Sequence, residues 1–508
     1  MPHHSFDDLI DSGTDAKAVF SGVRWTGLSQ IITESVRMLV SIYLARLLSP
    51  EDFGLLSMAG VVTGFFMVLQ YLGAPGVIIQ RKQLTNRLAS SLFMLNLAFS
   101  LILFSGLLLA APFLSGIYGK PQLTPIIQAL GASAVLSAVG AVPSSILNRK
   151  MRFDLLAWIT FLTAATQGVV AIILAKMGFG VWALVGANIA SSLVSVVCAW
   201  WMTRWHPQIT FVWAEVKEVL DYCLHLTGTG LIDYFSRDSD KFILGKWLGE
   251  KNLGYYTMAY RFCLYPPLTI SPILNRVLFP AFSRVQDDIP QLRKIILRSV
   301  GAITFITLPI IMGIMVVASP FIMGVLGVKW APAIQIMVLL APVGYLLSIF
   351  GPANQLIVAL GKANWMFWLT IFSGILTVIA FLVGLHWGVA GVVIAYFIVT
   401  VPATWIRYEL AFRLIQLPMH QLITSLYRYF VGSLVMAAAV YFSRKFLELS
   451  GFQPLVIVSI VVPLGIVLYI VLMLVWRPPA VYDFYQMFPT RMKLIIGRLL
   501  ARIGISLE

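Results

Sequence analysis

Two groups of polar and charged side chains interrupt apolar stretches of this sequence, one within the first fifty residues and one near the middle. A charged side chain at the centre of a bilayer costs on the order of 3 kcal/mol, so each group predicts a helix that faces protein or water instead of lipid. Such side chains could bind a polar or anionic substrate, or they could pair with one another. The candidate site residues are Gln30, Glu34 and Arg37 in the first group and Asp233, Arg237, Asp240 and Lys241 in the second.

The first group lies on one side of its predicted helix. At about 100° per residue, Gln30, Glu34 and Arg37 fall within an arc of roughly 80°, and Thr26 and Ser41 share that arc. Glu34 and Arg37 are three residues apart, so they can form an ion pair. The pattern therefore indicates either one wall of a polar pathway or a structural ion pair that holds two helices together.

The second group forms a similar face on a later helix. Two such faces in equivalent places are what a central hydrophilic pathway needs, whereas the seam of a helix dimer would not need them. The second face consists of Thr229, Asp233, Ser236 and Asp240, and Arg237 and Lys241 widen it.

The sequence that follows the first group is repeated in the second half of the chain. ARLLSPEDFGLLSMA at 45–59 aligns with GKWLGEKNLGYYTMA at 245–259, and the alignment places Arg37 opposite Arg237. The offset spans six predicted helices, an even number, so both copies insert into the membrane the same way round. Substrate sites commonly lie at the interface of such parallel repeats.

The repeated turn contains SPED at 49–52, whose acidic residues could indicate an enzymatic role in an external loop. Helix capping explains these residues better. Ser49 suits the N-cap position, Pro50 suits the first helical position, and the Asp52 carboxylate favours the positive end of the helix. We therefore expect the turn to be structural.

The composition is that of a membrane protein. The 508 residues are 59% hydrophobic and only 11% charged, with a mean hydropathy of +0.89, whereas a soluble domain is about one quarter charged. The net charge of +15 comes from short basic clusters between apolar stretches, a pattern that follows the positive-inside rule and does not indicate nucleic-acid binding. The N-terminal residues lack the basic region and apolar core of a cleaved signal peptide.

A window of about 20 apolar residues predicts an all-α integral membrane protein with about fourteen transmembrane helices. Lysine and arginine favour one side by roughly three to one, with Arg407 counted on that side, and this bias places both termini in the cytoplasm. The predicted spans are 19–45, 53–79, 88–112, 123–147, 154–176, 180–203, 220–247, 253–281, 295–318, 332–359, 364–386, 389–413, 425–446 and 455–476.

These spans divide into two six-helix lobes, related by the parallel repeat, and two additional C-terminal helices. The segment 491–503 of the basic tail is predicted to lie along the inner membrane surface. The predicted domains are a cytoplasmic tail (1–18), an N-lobe (19–203), a cytoplasmic linker (204–219), a C-lobe (220–413), the last two spans (425–476) and a basic cytoplasmic tail (477–508).

The sequence contains no motif for catalysis, nucleotide binding or metal binding. P-loop, GxSxG and HExxH patterns are absent, and Cys198, Cys223 and Cys263 lack the spacing of metal ligands. We therefore expect neither a cofactor nor a metal ion, and we do not expect an enzyme.

Six segments of the chain carry a resemblance to a known family. They are GVRWTGLSQ at 22–30, ARLLSPEDFGLLSMA at 45–59, YLGAPGVIIQRK at 71–82, ILNRKMRF at 146–153, DSDKFILGKWLGEKNLGYYTMAYR at 238–261 and NRVLFPAFSRVQDD at 275–288. Together they resemble the polysaccharide transporters of the MOP (multidrug/oligosaccharidyl-lipid/polysaccharide) flippase superfamily, and within it the Wzx-type branch for lipopolysaccharide or exopolysaccharide.

The resemblance implies two six-helix lobes around a central cavity. It also implies an inner-membrane exporter that moves undecaprenyl-pyrophosphate-linked oligosaccharide repeat units to the outer leaflet by alternating access. From the cost of burying charge, we expect Arg37, Arg237 and Lys241 to be cavity cations, since arginine binds phosphate oxygens in bidentate fashion.

Other functions remain open at this stage. A multidrug or peptidoglycan-precursor exporter of the same superfamily is the main alternative. A membrane glycosyltransferase is disfavoured because every predicted outer loop is short. The expected partners are the lipid-linked oligosaccharide and membrane lipids, with polysaccharide polymerase and glycosyltransferases of the same pathway as candidate protein partners.

Overall fold

The computed structural model describes residues 16–70, 74–81, 84–264 and 278–482. Side chains are described from residue 32 onward in these ranges, except at positions 74, 222, 225, 226, 229, 232, 233 and 236. Within these ranges the chain contains helices and turns and no β-strand. The predicted tails 1–18 and 477–508 lie almost entirely outside the described residues, as does the predicted surface segment 491–503.

By the pattern of internal contacts, the chain divides into two compact units, residues 1–254 and 255–508. The helices that begin in the first unit are α1 Ala16–Leu47, α2 Pro50–Gln70, α3 Ala74–Gln80, α4 Asn86–Tyr118, α5 Leu123–Arg149, α6 Phe153–Lys176, α7 Val181–Thr203 and α8 Trp213–Cys263. The helices of the second unit are α9 Ile289–Phe321, α10 Ala333–Ala359, α11 Ala363–Gly384, α12 Gly388–Leu414, α13 Met419–Leu449 and α14 Pro454–Trp476.

Ten stretches of the described residues are long and apolar enough to cross a membrane. They include eleven of the predicted spans, because the stretch Ala363–Leu414 contains two of them. Helices α1 and α8, which carry the two polar groups, are the long helices outside this set. The all-α membrane fold is confirmed, whereas the number of fourteen spans stays a prediction.

The outer surface of the helices is apolar, as contact with lipid requires. Large apolar side chains that would be buried in a soluble protein are exposed here, including Leu109 at 84% and Trp201 at 73%. In water such a surface would mark an association site or an aggregation hazard, but in a bilayer it contacts acyl chains. The exposed side chains therefore agree with the span prediction.

The two units use the same order of helix pairing. In the first unit α4 packs on α5, α5 packs on α7, and α6 packs on α7. In the second unit α9 packs on α10, α10 packs on α12, and α11 packs on α12. The predicted repeat, in which the third to sixth spans of each half are equivalent, would produce this correspondence and stays a prediction.

The segment between α7 and α8 is held against the start of α4. Trp205 is fully buried, and its indole Nε1 donates a 2.8 Å hydrogen bond to Asn86 Oδ1. The backbone N–H of Gln208 donates to Ser90 Oγ at 2.8 Å. Because these bonds satisfy polar groups that would otherwise be desolvated, the segment is fixed to the first unit.

Helix α8 is interrupted at one residue. Gly249 has φ 81° and ψ 173°, a conformation that only glycine adopts without strain. The interruption lies where the predicted seventh and eighth spans meet, two hundred residues after the turn between α1 and α2. The two copies of the repeated turn thus have a helix end and a helix start at matching places.

Candidate functional site

The first polar group is an ion pair on the surface of α1. Arg37 Nη1 lies 3.2 Å from Glu34 Oε1, and the two side chains are 42% and 21% exposed. Both partners belong to α1, so this pair does not itself join two helices, and the assignment of these residues to a substrate pathway stays a prediction. The side chain of Gln30, the third predicted member, lies outside the described residues.

The predicted arc on α1 contains two different environments. Ser41 is 2% exposed, whereas the side chain of Arg37 is 42% exposed. Helix α1 packs on α6, where the Cβ that an alanine would place at Gly168 comes within 2.7 Å of Val40. Part of the arc is therefore buried at Ser41, and its charged part at Arg37 is accessible.

The second polar group forms local contacts on α8. Asp240 is buried, and its Oδ1 accepts a 2.7 Å hydrogen bond from the backbone N–H of Lys241. The Lys241 ammonium pairs with Asp238, a residue that the sequence pattern had not assigned to the site. Arg237 is exposed. The side chain of Asp233 lies outside the described residues.

Neighbouring aromatic residues attach this part of α8 to α2. The Tyr234 hydroxyl donates a hydrogen bond to the carbonyl of Val61, and the rings of Phe65 and Phe235 lie 5.6 Å apart. Gly64 makes the approach possible, because a Cβ there would lie 2.8 Å from Tyr234 Oη. This packing fixes the part of α8 that carries the second polar group against α2.

The SPED turn is a helix cap, as predicted. The Ser49 backbone N–H and Oγ donate to Asp52 Oδ2 at 2.9 and 2.8 Å, and the Asp52 N–H donates back to Ser49 Oγ at 3.2 Å. This reciprocal pair is the capping-box arrangement, with aspartate in the place of glutamate. The acidic residue is engaged in structure, which removes the basis for a catalytic interpretation.

Arg407 on α12 is a buried cation that the sequence pattern missed. It is 5% exposed, and its guanidinium lies 4.3 Å from the centre of the Phe350 ring. Nη1 donates to the Ala403 carbonyl at 3.1 Å and Nη2 donates to Ser373 Oγ at 3.0 Å. Nε has no partner among the described residues. In the sequence, Arg407 counts among the cytoplasmic charges because it lies near the end of a predicted span, whereas in the structure it is buried.

No cluster of metal-ligating side chains occurs within the described ranges. The arrangement provides instead exposed arginines, among them Arg37 and Arg237, on the two helices that are too polar to qualify as ordinary spans. Such side chains can bind anionic or sugar-bearing ligands but do not form a nucleophile or acid–base set.

Comparison with known proteins identifies what the chain is similar to. The profile of a family described as polysaccharide biosynthesis protein matches residues 43–335. Lipopolysaccharide biosynthesis protein WzxC of Escherichia coli (strain K12) is 26% identical over 391 residues, which are 76% of this chain and 80% of that protein. Succinoglycan biosynthesis transport protein ExoT of Rhizobium meliloti (strain 1021) is 25% identical over 363 residues, covering 72% and 74% of the two chains.

Solved structures share the fold at low identity. The lipid II flippase MurJ, in an inward closed conformation, aligns with a TM-score of 0.70 at 16% identity over 88% of this chain and 98% of its own. A multidrug resistance MATE family transporter of the MOP superfamily aligns with a TM-score of 0.61 at 18% identity over 75% and 94%. The fold is therefore that of the MOP transporters.

Proposed function

Because this chain belongs to the polysaccharide biosynthesis protein family, we propose that it moves undecaprenyl-pyrophosphate-linked oligosaccharide repeat units across the inner membrane by alternating access. The repeat units that it moves supply the synthesis of polymers such as exopolysaccharide or lipopolysaccharide. The observation that carries the proposal is the combination of this family with the fold of a flippase whose named substrate, lipid II, is itself lipid-linked.

The charges on α1 and α8 suit such a substrate. Pyrophosphate carries a concentrated negative charge, and an arginine guanidinium can bind its oxygens through two parallel hydrogen bonds. Arg37 is 42% exposed beside its partner Glu34 and Arg237 is exposed, so both are accessible to a ligand. We assign these two residues to the pyrophosphate. Gln30, Glu34, Asp233, Asp240 and Lys241 complete the proposed polar lining.

The proposal predicts the effect of removing the two arginines. Arg37→Ala and Arg237→Ala, singly and together, should abolish polymer export from a deletion strain, because the pyrophosphate would lose its bidentate partners. Export is measured as surface polysaccharide, and membrane insertion is measured by immunoblot. Arg413→Ala is the matched control, since Arg413 pairs at 2.8 Å with Glu409 on its own helix and is 72% exposed.

Full export by the double alanine variant would overturn the assignment of the two arginines. Arg37→Lys and Arg237→Lys refine the test, because lysine keeps the charge and loses the bidentate geometry. We expect each lysine variant to retain a measurable fraction of export.

The alternative is a multidrug or peptidoglycan-precursor exporter, which the fold alone allows. A deletion strain separates the functions. Loss of surface polysaccharide with normal drug tolerance and normal cell-wall synthesis supports our proposal, whereas drug sensitivity or a cell-wall defect with intact polysaccharide would replace it. Polymerase and glycosyltransferases of the same pathway are the proposed protein partners.

A further inference from the structure

The two copies of the repeated turn pack against each other at a glycine in each copy, Gly54 and Gly254. A Cβ at Gly54 would lie 1.8 Å from the carbonyl oxygen of Glu250. A Cβ at Gly254 would lie 1.9 Å from the carbonyl oxygen of Pro50. Neither contact can accept even one additional methyl group, so the two turns touch backbone to backbone.

The contact is reciprocal with respect to the repeat. Gly54 and Gly254 are aligned residues, and so are Pro50 and Glu250. Gly54 meets Glu250 while Gly254 meets Pro50, which is the pattern that a two-fold axis between equivalent elements produces. The repeat therefore provides a self-complementary surface on each copy of the turn.

Two ion pairs flank the backbone contact. Glu51 Oε1 lies 3.2 Å from Lys251 Nζ, and these two residues are also aligned with each other. Lys120 Nζ lies 2.6 Å from Glu250 Oε1. The four side chains are between 22% and 61% exposed, so the pairs are screened by solvent and can be broken without leaving a charge buried.

Apolar side chains close the space next to the contact. Met58 and Leu253 are fully buried, and each approaches the Cβ position of Gly245 within 3.2 Å. The Tyr118 ring lies within 3.1 Å of the same position and 5.7 Å from the ring of Phe242. The backbone contact is thus continuous with a tightly packed apolar cluster, and the charged groups lie at its rim.

We propose that the turns at 48–54 and 248–254 form a gate, closed in this structure by the Gly54–Glu250 and Gly254–Pro50 contacts and held by the Glu51–Lys251 and Lys120–Glu250 ion pairs. The proposal rests on the alternating access proposed above. The positive-inside rule places this gate on the extracytoplasmic side. Opening separates the two turns, and closing requires glycine at both positions.

Distances between spin labels test the gate without a substrate. Leu47 and Trp247 are exposed, aligned residues that end the helical segments before the two turns, so labels at Leu47→Cys and Trp247→Cys report the separation. The three native cysteines, Cys198, Cys223 and Cys263, are first replaced by alanine. Measured in lipid nanodiscs, the parent protein should show a dominant short distance.

Gly54→Ala and Gly254→Ala should each move the population to a longer distance. The double variant should show no further change, because both substitutions act on one interface. Gly60→Ala is the control, since Gly60 lies on the same helix as Gly54 and has open space around it. Distances in both variants that equal those of the control would overturn the gate.

A charge exchange tests the ion pair in a chain that keeps both glycines. Glu51→Lys should increase the long-distance population by repulsion from Lys251, and the added Lys251→Glu should restore the short distance. If the double variant keeps the distances of the single variant, the pair does not hold the gate.

Export measurements separate this proposal from the proposed function. Variants with the long distance should lose polysaccharide export by tenfold or more, as judged against Gly60→Ala. Normal export by a variant with the long distance would overturn the gate. Absence of polysaccharide export by the parent protein would overturn the proposed function, and the distance measurements would still test whether the turns separate.

Discussion

Arg407 shows how a single charged residue can be accommodated within a helix bundle. Its guanidinium contacts an aromatic face, a backbone carbonyl and a hydroxyl, none of which carries a formal negative charge. Cation–π attraction and two hydrogen bonds offset part of the desolvation, but the unpartnered Nε leaves part of it uncompensated. We therefore expect the volume of the side chain at position 407 to matter more for stability than its charge.

Two substitutions of Arg407 should therefore differ in stability. Arg407→Met keeps most of the side-chain volume and removes the buried charge, so we expect a melting temperature in detergent close to that of the parent protein. Arg407→Ala leaves a cavity beside Phe350, and a large-to-small change in a packed interior costs about 2–5 kcal/mol. Thermal unfolding monitored by tryptophan fluorescence distinguishes them. An equal loss in both variants would show that the hydrogen bonds dominate.

Glu250 gives the proposed gate a pH dependence. Burial raises the pKa of Glu250, but the hydrogen bond from Lys120, a backbone hydrogen bond and the positive charge of Lys120 together lower it more, so the pKa lies below its ordinary value. Glu51 lies nearby and raises the pKa slightly by repulsion, while Lys251 pairs with Glu51. A lowered pKa means that the paired state is favoured at neutral pH and is lost as the pH falls through that value.

The label distance between positions 47 and 247 should therefore stay short from neutral pH down to about pH 5 and lengthen only below the ordinary carboxyl range. Glu250→Gln removes the contribution of this pair, so any remaining transition should come from Glu51, whose pKa is also below its ordinary value, and should disappear when Glu51→Gln is added. A transition centred near neutral pH would contradict the role of the carboxylate.

At the scale of helices and turns, local chemistry determined what could be predicted. The cap at Ser49 and Asp52 follows from residue type and spacing alone, and the structure contains it. The pairing of Glu34 with Arg37 also follows from spacing along one helix. Interactions within four residues of one another need no knowledge of the rest of the fold.

Features that depend on helix rotation and on distant partners could not be predicted in the same way. Ser41 shares an arc with Arg37 in the sequence, but Ser41 is buried and Arg37 is exposed, a difference set by helix packing that the pattern does not contain. Arg407 and Phe350 are far apart in the chain, so their contact leaves no local pattern. The alignment identifies Gly54 and Gly254 as identical residues, but their packing against Glu250 and Pro50 depends on how the two turns meet in the fold.

For the whole molecule, the orientation in the membrane is the next quantity to measure. The bias of lysine and arginine predicts that both termini are cytoplasmic. Alkaline phosphatase fused after Lys120 should be active, because that loop is predicted to be outside. The enzyme fused after Lys150 or after the C-terminal residue should be inactive. The opposite pattern of activities would invert the topology and place the proposed gate on the cytoplasmic side.

The contact between aligned residues Glu51 and Lys251 bears on how such a chain could have arisen. If two copies of the first half formed a symmetric dimer with the same interface, position 51 would face its own copy, and two carboxylates would repel. Two copies of the second half would place two ammonium groups together. Joining both halves in one polypeptide allows each position to diverge, so opposite charges can face each other where a homodimer permits only like ones.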